Sequence, residues 1–267
     1  MAKVIKNISK KLNEKIKYES KASVVIYFLL RFLTIICMVR ELFNGNFQNT
    51  LLCVLSLILF LVPAFVEKKF KIDLPTVFEI IIFIFIFSAE ILGEINNFYG
   101  RFPYFDDILH TINGFLAASV GFSLIYLLNE KSGSFNLSPV FVSLVAFCFS
   151  MTIGVAWEFF EYGMDNIFKL DMQKDAYVYN INTVTIDPMN DNNVIKIDDI
   201  DKTLIYDQNK SELLELDGYL DIGLHDTMKD LLVNFIGALI FSVFGYMYII
   251  NKDKYRIAGK FLTKKKE

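Results

Sequence analysis

Cysteine, histidine and tryptophan are scarce in this chain. Its 267 residues include three cysteines, two histidines and one tryptophan. An odd number of cysteines, each lying inside an apolar run, argues against a disulfide framework or a cysteine-based zinc site. We therefore expect Cys37, Cys53 and Cys148 to be buried apolar thiols.

Several sequence signatures of function are also missing. The chain has no internal repeat, no glycine-rich phosphate-binding loop and no nucleic-acid-binding signature, so we expect no nucleic acid partner. The turn-rich segment from Asp187 to Asn193 is rich in Asp and Asn. It lacks the spacing and the glycine of an EF-hand, which argues against a specific calcium loop.

Long apolar runs dominate what remains. Hydrophobic residues make up 54% of the chain, above the usual share of about 45–50% in soluble domains. A membrane span needs about 20 mainly apolar residues. The sequence therefore predicts an all-α integral membrane protein, a six-span helical bundle within residues 23–250. The predicted spans are residues 23–39, 50–66, 74–92, 107–128, 139–162 and 227–250.

Basic residues set the predicted orientation. Lysines crowd the N-terminal arm (1–22) and the C-terminal tail (251–267), and they recur in the loops after the second and fourth spans. Such loops normally lie in the cytoplasm, so we place both termini inside the cytoplasmic membrane. The arm alternates apolar residues and lysines at helical spacing. This pattern fits a helix lying on the inner lipid surface, and equally a solvated basic tail.

An acidic insertion interrupts the apolar pattern at residues 166–225. It contains twelve acidic residues and five lysines. Residues 176–186 alternate like a strand, residues 193–206 could form a second strand, and turn residues lie between them. We predict a small β-hairpin on the extracytoplasmic side.

Acidic residues and one histidine recur near the outer ends of the predicted spans. Residues three or four apart on a helix share a face. A carboxylate in hydrocarbon costs a few kcal/mol, so such residues are normally functional or part of a polar network. Asp226 begins a helix, where aspartate is also an ordinary cap. The candidate pocket residues are Glu90, Asp107, His110, Glu158, Glu161, Asp226, Asp230 and Asn234.

Carboxylates and an imidazole from several helices form a typical ligand set for divalent metals in helical bundles. Hard oxygen ligands with one nitrogen suit Zn, Mn, Fe or Mg. We predict Glu161 as a general base and Asn234 as a positioning group, with Asp226 and Glu90 as further polar residues. The predicted metal ligands are Asp107, His110, Glu158 and Asp230.

Three functions agree with this pattern. The first is metal-dependent chemistry on a lipid or envelope phosphate, since a metal ion activates water and neutralises phosphate. The second is a proton- or cation-coupled transporter that uses the same carboxylates; the chain shows no repeat symmetry of the kind many transporters have. The third is a non-enzymatic envelope factor whose polar stripes hold helices together. Beyond the lipid bilayer, the sequence names no protein partner.

Three motifs resemble a known family. They are Asp107-x-x-His110 followed by Gly114, then Trp157-Glu158-x-x-Glu161, then Asp226-Thr227-x-x-Asp230-x-x-x-Asn234-x-x-Gly237-Ala238. Together they resemble the YjdF-like family of bacterial inner-membrane proteins, and the last motif is also similar to the final helices of VanZ-like proteins. The resemblance implies a helical membrane protein. It implies no activity, because that family is largely uncharacterised. The long acidic insertion departs from the expected pattern.

Overall fold

Six helical segments within the described part of the chain are long and apolar enough to cross a membrane. They comprise residues 22–43, 47–69, 76–95, 105–129, 139–168 and 224–250. Each overlaps one predicted span, so the prediction of a mostly helical chain with six candidate membrane spans is confirmed. The computed structural model describes residues 21–70, 72–131, 137–169, 171–206, 213–256 and 258–265. Nearly all of the predicted N-terminal arm lies outside these residues.

The elements follow one another in this order. The first part contains α1 (Lys21–Phe43), α2 (Phe47–Leu59), α3 (Val62–Phe70), β1 (Ile72–Asp73), α4 (Thr76–Ile86), a π-helix (Phe87–Ile95), α5 (Phe98–Arg101), α6 (Phe105–Lys131) and α7 (Pro139–Phe168). The remainder contains β2 (Ala176–Val178), β3 (Ile181–Thr183), β4 (Ile195–Ile197), β5 (Thr203–Tyr206), β6 (Leu213–Leu216), β7 (Tyr219–Asp221), α8 (Leu224–Ile250) and β8 (Lys264–Lys265).

The second and third spans are not regular α-helices throughout. The second is interrupted at Phe60 and Leu61, just before Pro63. Proline has no backbone N–H and cannot continue the hydrogen-bond ladder of a helix interior, which accounts for the break. The third span changes from α4 to the π-helix at Phe87. Wide turns of this kind are rare and are frequently found at functional sites.

The chain divides into two compact units. The first comprises residues 1–154 and 233–267, and the second comprises residues 155–232. In the first unit, α6 and α8 approach closely at two glycines. A Cβ on Gly237 would lie 2.0 Å from the Thr111 carbonyl oxygen, and one on Gly114 would lie 2.1 Å from the Asn234 carbonyl oxygen. Only residues without a side chain permit this helix crossing.

Aromatic side chains and the C-terminal tail form the apolar core of the first unit. The Phe115 ring lies 5.0 Å from the rings of both Phe241 and Phe261. Leu262 is buried in the same cluster, and the backbone N–H of Thr263 donates to Ser123 Oγ. Immediately after Thr263 the chain forms β8, which pairs with β1 in an antiparallel orientation. Residues 258–263, here named the docked tail, thus contribute core packing that a lysine-rich terminus does not indicate.

The cysteines differ in their surroundings. Cys37 and Cys53 are buried, whereas Cys148 is exposed on α7. The prediction of three buried thiols is therefore wrong for Cys148. A long apolar run does not distinguish the residues that face the bundle core from those on the outer face of a helix.

The second unit contains the end of α7, three antiparallel strand pairs and the start of α8. The pairs are β2 with β7, β3 with β4, and β5 with β6. The predicted strand 176–186 is therefore two strands, and so is 193–206. The chain bends between β2 and β3, where the Tyr179 carbonyl accepts from the Ile200 N–H and Asn180 Oδ1 accepts from the Asp199 N–H. The extracytoplasmic position of this insertion stays a prediction.

Asp187 organises the turn between β3 and β4. Its carboxylate accepts hydrogen bonds from the backbone N–H groups of Met189, Asp191 and Asn193, at 3.2, 2.9 and 3.0 Å. These bonds, that of Asn193 foremost, lower the pKa of Asp187 because they favour the charged form. Asn190 adopts a left-handed backbone with φ of 54°. Asp187 therefore acts as a structural anchor of the turn.

Candidate functional site

Three buried carboxylates cluster in the second unit. Glu158 and Glu161 come from α7 and Asp230 comes from α8, with relative exposures of 4%, 7% and 2%. Each offers a carboxylate oxygen, and these oxygens lie within 4.8 Å of one another. We name Glu158, Glu161 and Asp230 the carboxylate triad. Because α7 presents two of its members three residues apart, one helix face supplies both.

The tryptophan of the chain contacts this triad. Trp157 Nε1–H donates to Glu161 Oε1 at 2.8 Å, one helical turn along α7. The Trp157 side chain is itself partly exposed, at 43%, and packs against Phe160 with ring centroids 5.3 Å apart. A tryptophan near the end of a membrane span commonly anchors the helix at the lipid–water interface. The structure adds a hydrogen bond that holds one carboxylate oxygen of Glu161.

Two other acids of the second unit bind backbone next to the triad helices. Asp165, in the last turns of α7, accepts from the N–H groups of Met172 and Gln173 at 2.6 and 2.8 Å. Asp226, in the first turn of α8, accepts from the Lys174 N–H at 2.7 Å. Gln173 Nε2 also donates to Thr227 Oγ1. These bonds fix the segment that follows α7, so Asp226 has a structural role of its own.

Negative charge accumulates around this segment. Loss of water contact raises the pKa of Asp175, and the neighbouring carboxylates of Asp171, Asp221 and Asp165 raise it further. Like charges disfavour the ionised form, which is the direction expected where acids crowd together. Acidic side chains therefore crowd around Asp175 in the segment that joins the triad helices, and Lys174 offsets part of their effect.

The first unit contains another part of the predicted site. His110 Nε2 lies 3.6 Å from Asp106 Oδ1, one turn apart on α6. Asn234 is almost fully buried at 1% exposure. Its amide nitrogen donates to Met151 Sδ at 3.6 Å, and its Oδ1 atom has no hydrogen-bond partner among the described residues. A buried amide oxygen of this kind is normally explained by a water, an ion or a ligand group.

Two further buried acids of the first unit were not among the predicted site residues. Glu41 accepts from Arg40 Nε at 2.7 Å and from Asn49 Nδ2 at 3.0 Å. Glu79 accepts from Ser23 Oγ at 2.8 Å. For Glu41, the adjacent Arg40 in the sequence was an available signal. Asn49 and Ser23, which donate to Glu41 and Glu79, lie on other helices, and residue spacing along one helix does not predict such partners.

The structure therefore brings together part of the predicted set. Glu158, Glu161 and Asp230 lie in one cluster within the second unit. Asp226 belongs to the same unit and binds the Lys174 backbone instead. The catalytic and ligand roles assigned to these residues stay predictions. The predicted residues that belong to the first unit are Glu90, Asp107, His110 and Asn234.

Three clustered carboxylates can bind a hard divalent cation or hold protons. Carboxylate oxygens are ligands for Mg, Mn and Fe(II), and sites of this composition occur in the cores of helical bundles. An Asp–His pair such as Asp106 and His110 is the arrangement that orients an imidazole for metal binding. The donors of both units thus suit a divalent metal chemically.

Comparison with known proteins gives a family and nothing finer. The family described as "Predicted membrane protein (DUF2238)" matches residues 23–251. This agrees with the YjdF-like resemblance, since YjdF is in that family, whereas the VanZ-like resemblance gains no support. No curated protein and no solved structure matches the chain. The chain is a multi-pass membrane protein and belongs to the DUF2238 family of predicted membrane proteins.

Proposed function

We propose that the carboxylate triad binds a divalent metal ion and that the protein uses this ion in chemistry on a lipid or envelope phosphate. One observation carries the proposal. Oxygens of Glu158, Glu161 and Asp230 lie within 4.8 Å of one another in a buried position between two membrane helices.

Electrostatics favours a bound cation at such a cluster. Two unit charges at this separation repel by roughly 3 kcal/mol at an effective dielectric constant of 20. Three ionised carboxylates contain three such pairs, so the total repulsion is about 10 kcal/mol, which is comparable with the stability of a typical protein. A divalent ion at the triad would offset this repulsion, and the predicted ligands among the three residues are Glu158 and Asp230.

The chemistry of the donors limits the choice of ion. An all-carboxylate set suits Mg, Mn or Fe(II), and an imidazole ligand would extend the choice to Zn. Asp107 and His110 remain predicted ligands. The Asp106–His110 contact supports this role for His110, because ligating histidines usually have a carboxylate on the other nitrogen.

A bound metal would activate water near neutral pH and clamp phosphate oxygens. In this proposal Glu161 accepts a proton from the attacking water, and the Trp157 N–H holds that carboxylate in position. Asn234 of the first unit stays a predicted positioning group. A phosphate substrate fits because the ion neutralises its charge among acids that would otherwise repel it.

Transport of cations or protons is the second candidate, and the helix irregularities favour it. The second span is broken at Phe60 and Leu61, and the third continues as a π-helix from Phe87. Discontinuous helices are typical of transporters. Under this alternative the triad carries the coupling ion, and no substrate bond is broken.

The test separates binding, chemistry and transport. Purified full-length protein in detergent is analysed for metals, and then assayed for phosphate release from lipid phosphates with added Mg, Mn or Zn. The variant Asp230→Asn removes a triad carboxylate, and Glu79→Gln is the control for a buried acid outside the triad. Metal binding with phosphate release, both lost only in Asp230→Asn, supports the enzyme. Metal binding without release, combined with ion flux into vesicles, supports the transporter. If Asp230→Asn binds the metal as well as the unmodified protein does, the proposed site is contradicted.

A further inference from the structure

Cys37 and Cys53 face each other across the hairpin formed by α1 and α2. Cys37 lies six residues before the end of α1 at Phe43, and Cys53 lies six residues after the start of α2 at Phe47. At a rise of 1.5 Å per residue, both lie about 9 Å from the same end of the hairpin. They are buried together in one small cluster with Ile91 of the π-helix.

A cation reaches this thiol pair from the exposed side. Arg40 Nη2 donates to Cys37 Sγ at 3.7 Å, and the Arg40 side chain is half exposed. Cysteines that attack disulfides usually lie beside a positive group. Cys37 has such a neighbour in Arg40, and Cys53 is fully buried in the same cluster as Cys37.

We propose that Cys37 and Cys53 form a reversible disulfide that links the first two membrane spans. Cys37 is the attacking residue and Cys53 is the resolving residue. This proposal is independent of the metal site, because both cysteines and all of their contacts lie in the first unit.

The oxidant in this step is a disulfide compound, R–S–S–R. The Cys37 thiolate attacks one of its sulfurs, a mixed disulfide forms, and one RS⁻ leaves and takes up the Cys37 proton. The Cys53 sulfur then attacks Cys37 Sγ, and the second RS⁻ leaves with the Cys53 proton. Two protein thiols are oxidised to one disulfide, and R–S–S–R is reduced to two thiols.

The sequence offers a direct way to detect the link. Hydroxylamine cleaves Asn–Gly bonds, and this chain contains two, Asn44–Gly45 in the loop between α1 and α2 and Asn113–Gly114 in α6. A disulfide from Cys37 to Cys53 joins the fragments 1–44 and 45–113. Without it, the two fragments separate.

The experiment uses full-length Cys148→Ser protein in detergent, which removes the exposed thiol. The protein is treated with dithiodipyridine, remaining thiols are alkylated, and the denatured chain is cleaved with hydroxylamine without reductant. The proposal expects most of fragments 1–44 and 45–113 to migrate together and to separate on reduction. Cys37→Ser and Cys53→Ser are each expected to abolish the linked product. Separate fragments after oxidation, or a pyridyl adduct that persists on Cys37, would overturn the proposal.

Discussion

In the first unit, the buried carboxylate of Glu41 accepts hydrogen bonds from Arg40 and Asn49, and that of Glu79 accepts one from Ser23. In the second unit, Glu158, Glu161 and Asp230 lie against one another. A buried acid that is matched with donors stabilises the fold, and removing it leaves a donor unsatisfied. Ionised acids that cluster repel one another, even though Glu161 also has a donor in Trp157, and the proposed metal ion would offset that repulsion. The comparison therefore separates structural acids from candidate functional ones within one membrane bundle.

Removal of a triad carboxylate is expected to have the largest effect. Asp230→Asn keeps the size of the side chain and removes its charge. We expect metal affinity to fall by more than about 100-fold, beyond the 10–100-fold typical of residues that merely support a ligand. Isothermal titration with Mn²⁺ measures this change. Glu79→Gln, the matched control in the first unit, should bind the ion like the unmodified protein. Equal loss in both variants would remove the distinction between the two sets of acids.

The melting temperature of the metal-free protein should respond differently to substitutions in the two sets of acids. Glu41→Gln leaves the Arg40 guanidinium without its carboxylate partner and should lower stability by about 1–2 kcal/mol, a figure that allows for the half-exposed arginine. Asp230→Asn relieves repulsion among buried acids and should leave the melting temperature unchanged or higher. Scanning calorimetry in detergent with a chelator is the measurement. A lower melting temperature for Asp230→Asn would mean that the triad is a structural network.

Replacement of Trp157 sharpens the description of the triad. Trp157→Phe keeps an aromatic ring and removes the N–H that holds Glu161 Oε1. We expect metal affinity to fall by about 10-fold, at the lower limit for a supporting hydrogen bond. Competition with a fluorescent chelator measures affinity without using protein fluorescence. Trp157→His retains a ring N–H and is expected to recover part of the loss. Unchanged affinity in the phenylalanine variant would assign Trp157 to interfacial anchoring alone.

The smallest effect concerns Asp187, an acid satisfied by backbone donors. Its pKa in the folded protein is lowered, chiefly by the Asn193 N–H. The resulting stabilisation of the turn is therefore present above the pKa of an unfolded aspartate and is lost as pH falls through the lower, folded value. Backbone amide shifts of Asp191 and Asn193 in an acid titration report this directly. A midpoint at or above the ordinary aspartate value would contradict the account.

The sequence was sufficient for the spans and for the pairs of site residues on a single helix. Long apolar runs set the six helices, and helical spacing put Glu158 beside Glu161. Contacts between helices were harder, because periodicity assigns a face to a residue without naming what that face meets. The contact between Glu41 and Asn49 was missed for this reason. The docked tail was missed for another reason. Phe261 and Leu262 are buried, but they form an apolar segment too short to indicate burial among the lysines around it.

The hydrophobic pattern of the sequence also did not predict where strands and helices are interrupted. Residues 176–186 alternate like one strand, and the bend at Asn180 depends on hydrogen bonds to Asp199 and Ile200 about twenty residues later. The π-helix begins where a run of Ile and Phe gives way to residues that include Ser, Glu and Gly, and neither composition distinguishes a π-turn from an α-turn. Only Pro63 carried a local signal, and the chain breaks beside it.

The metal content of the purified protein tests the central claim most directly. Elemental mass spectrometry would be performed on the unmodified chain, on Asp230→Asn and on Glu79→Gln, each first shown to be folded, after incubation with Mg, Mn, Fe(II) and Zn. The account predicts about one divalent ion per chain in the unmodified protein and in Glu79→Gln, and a loss of that ion in Asp230→Asn. An unmodified protein that holds no divalent ion under any of these conditions would contradict it.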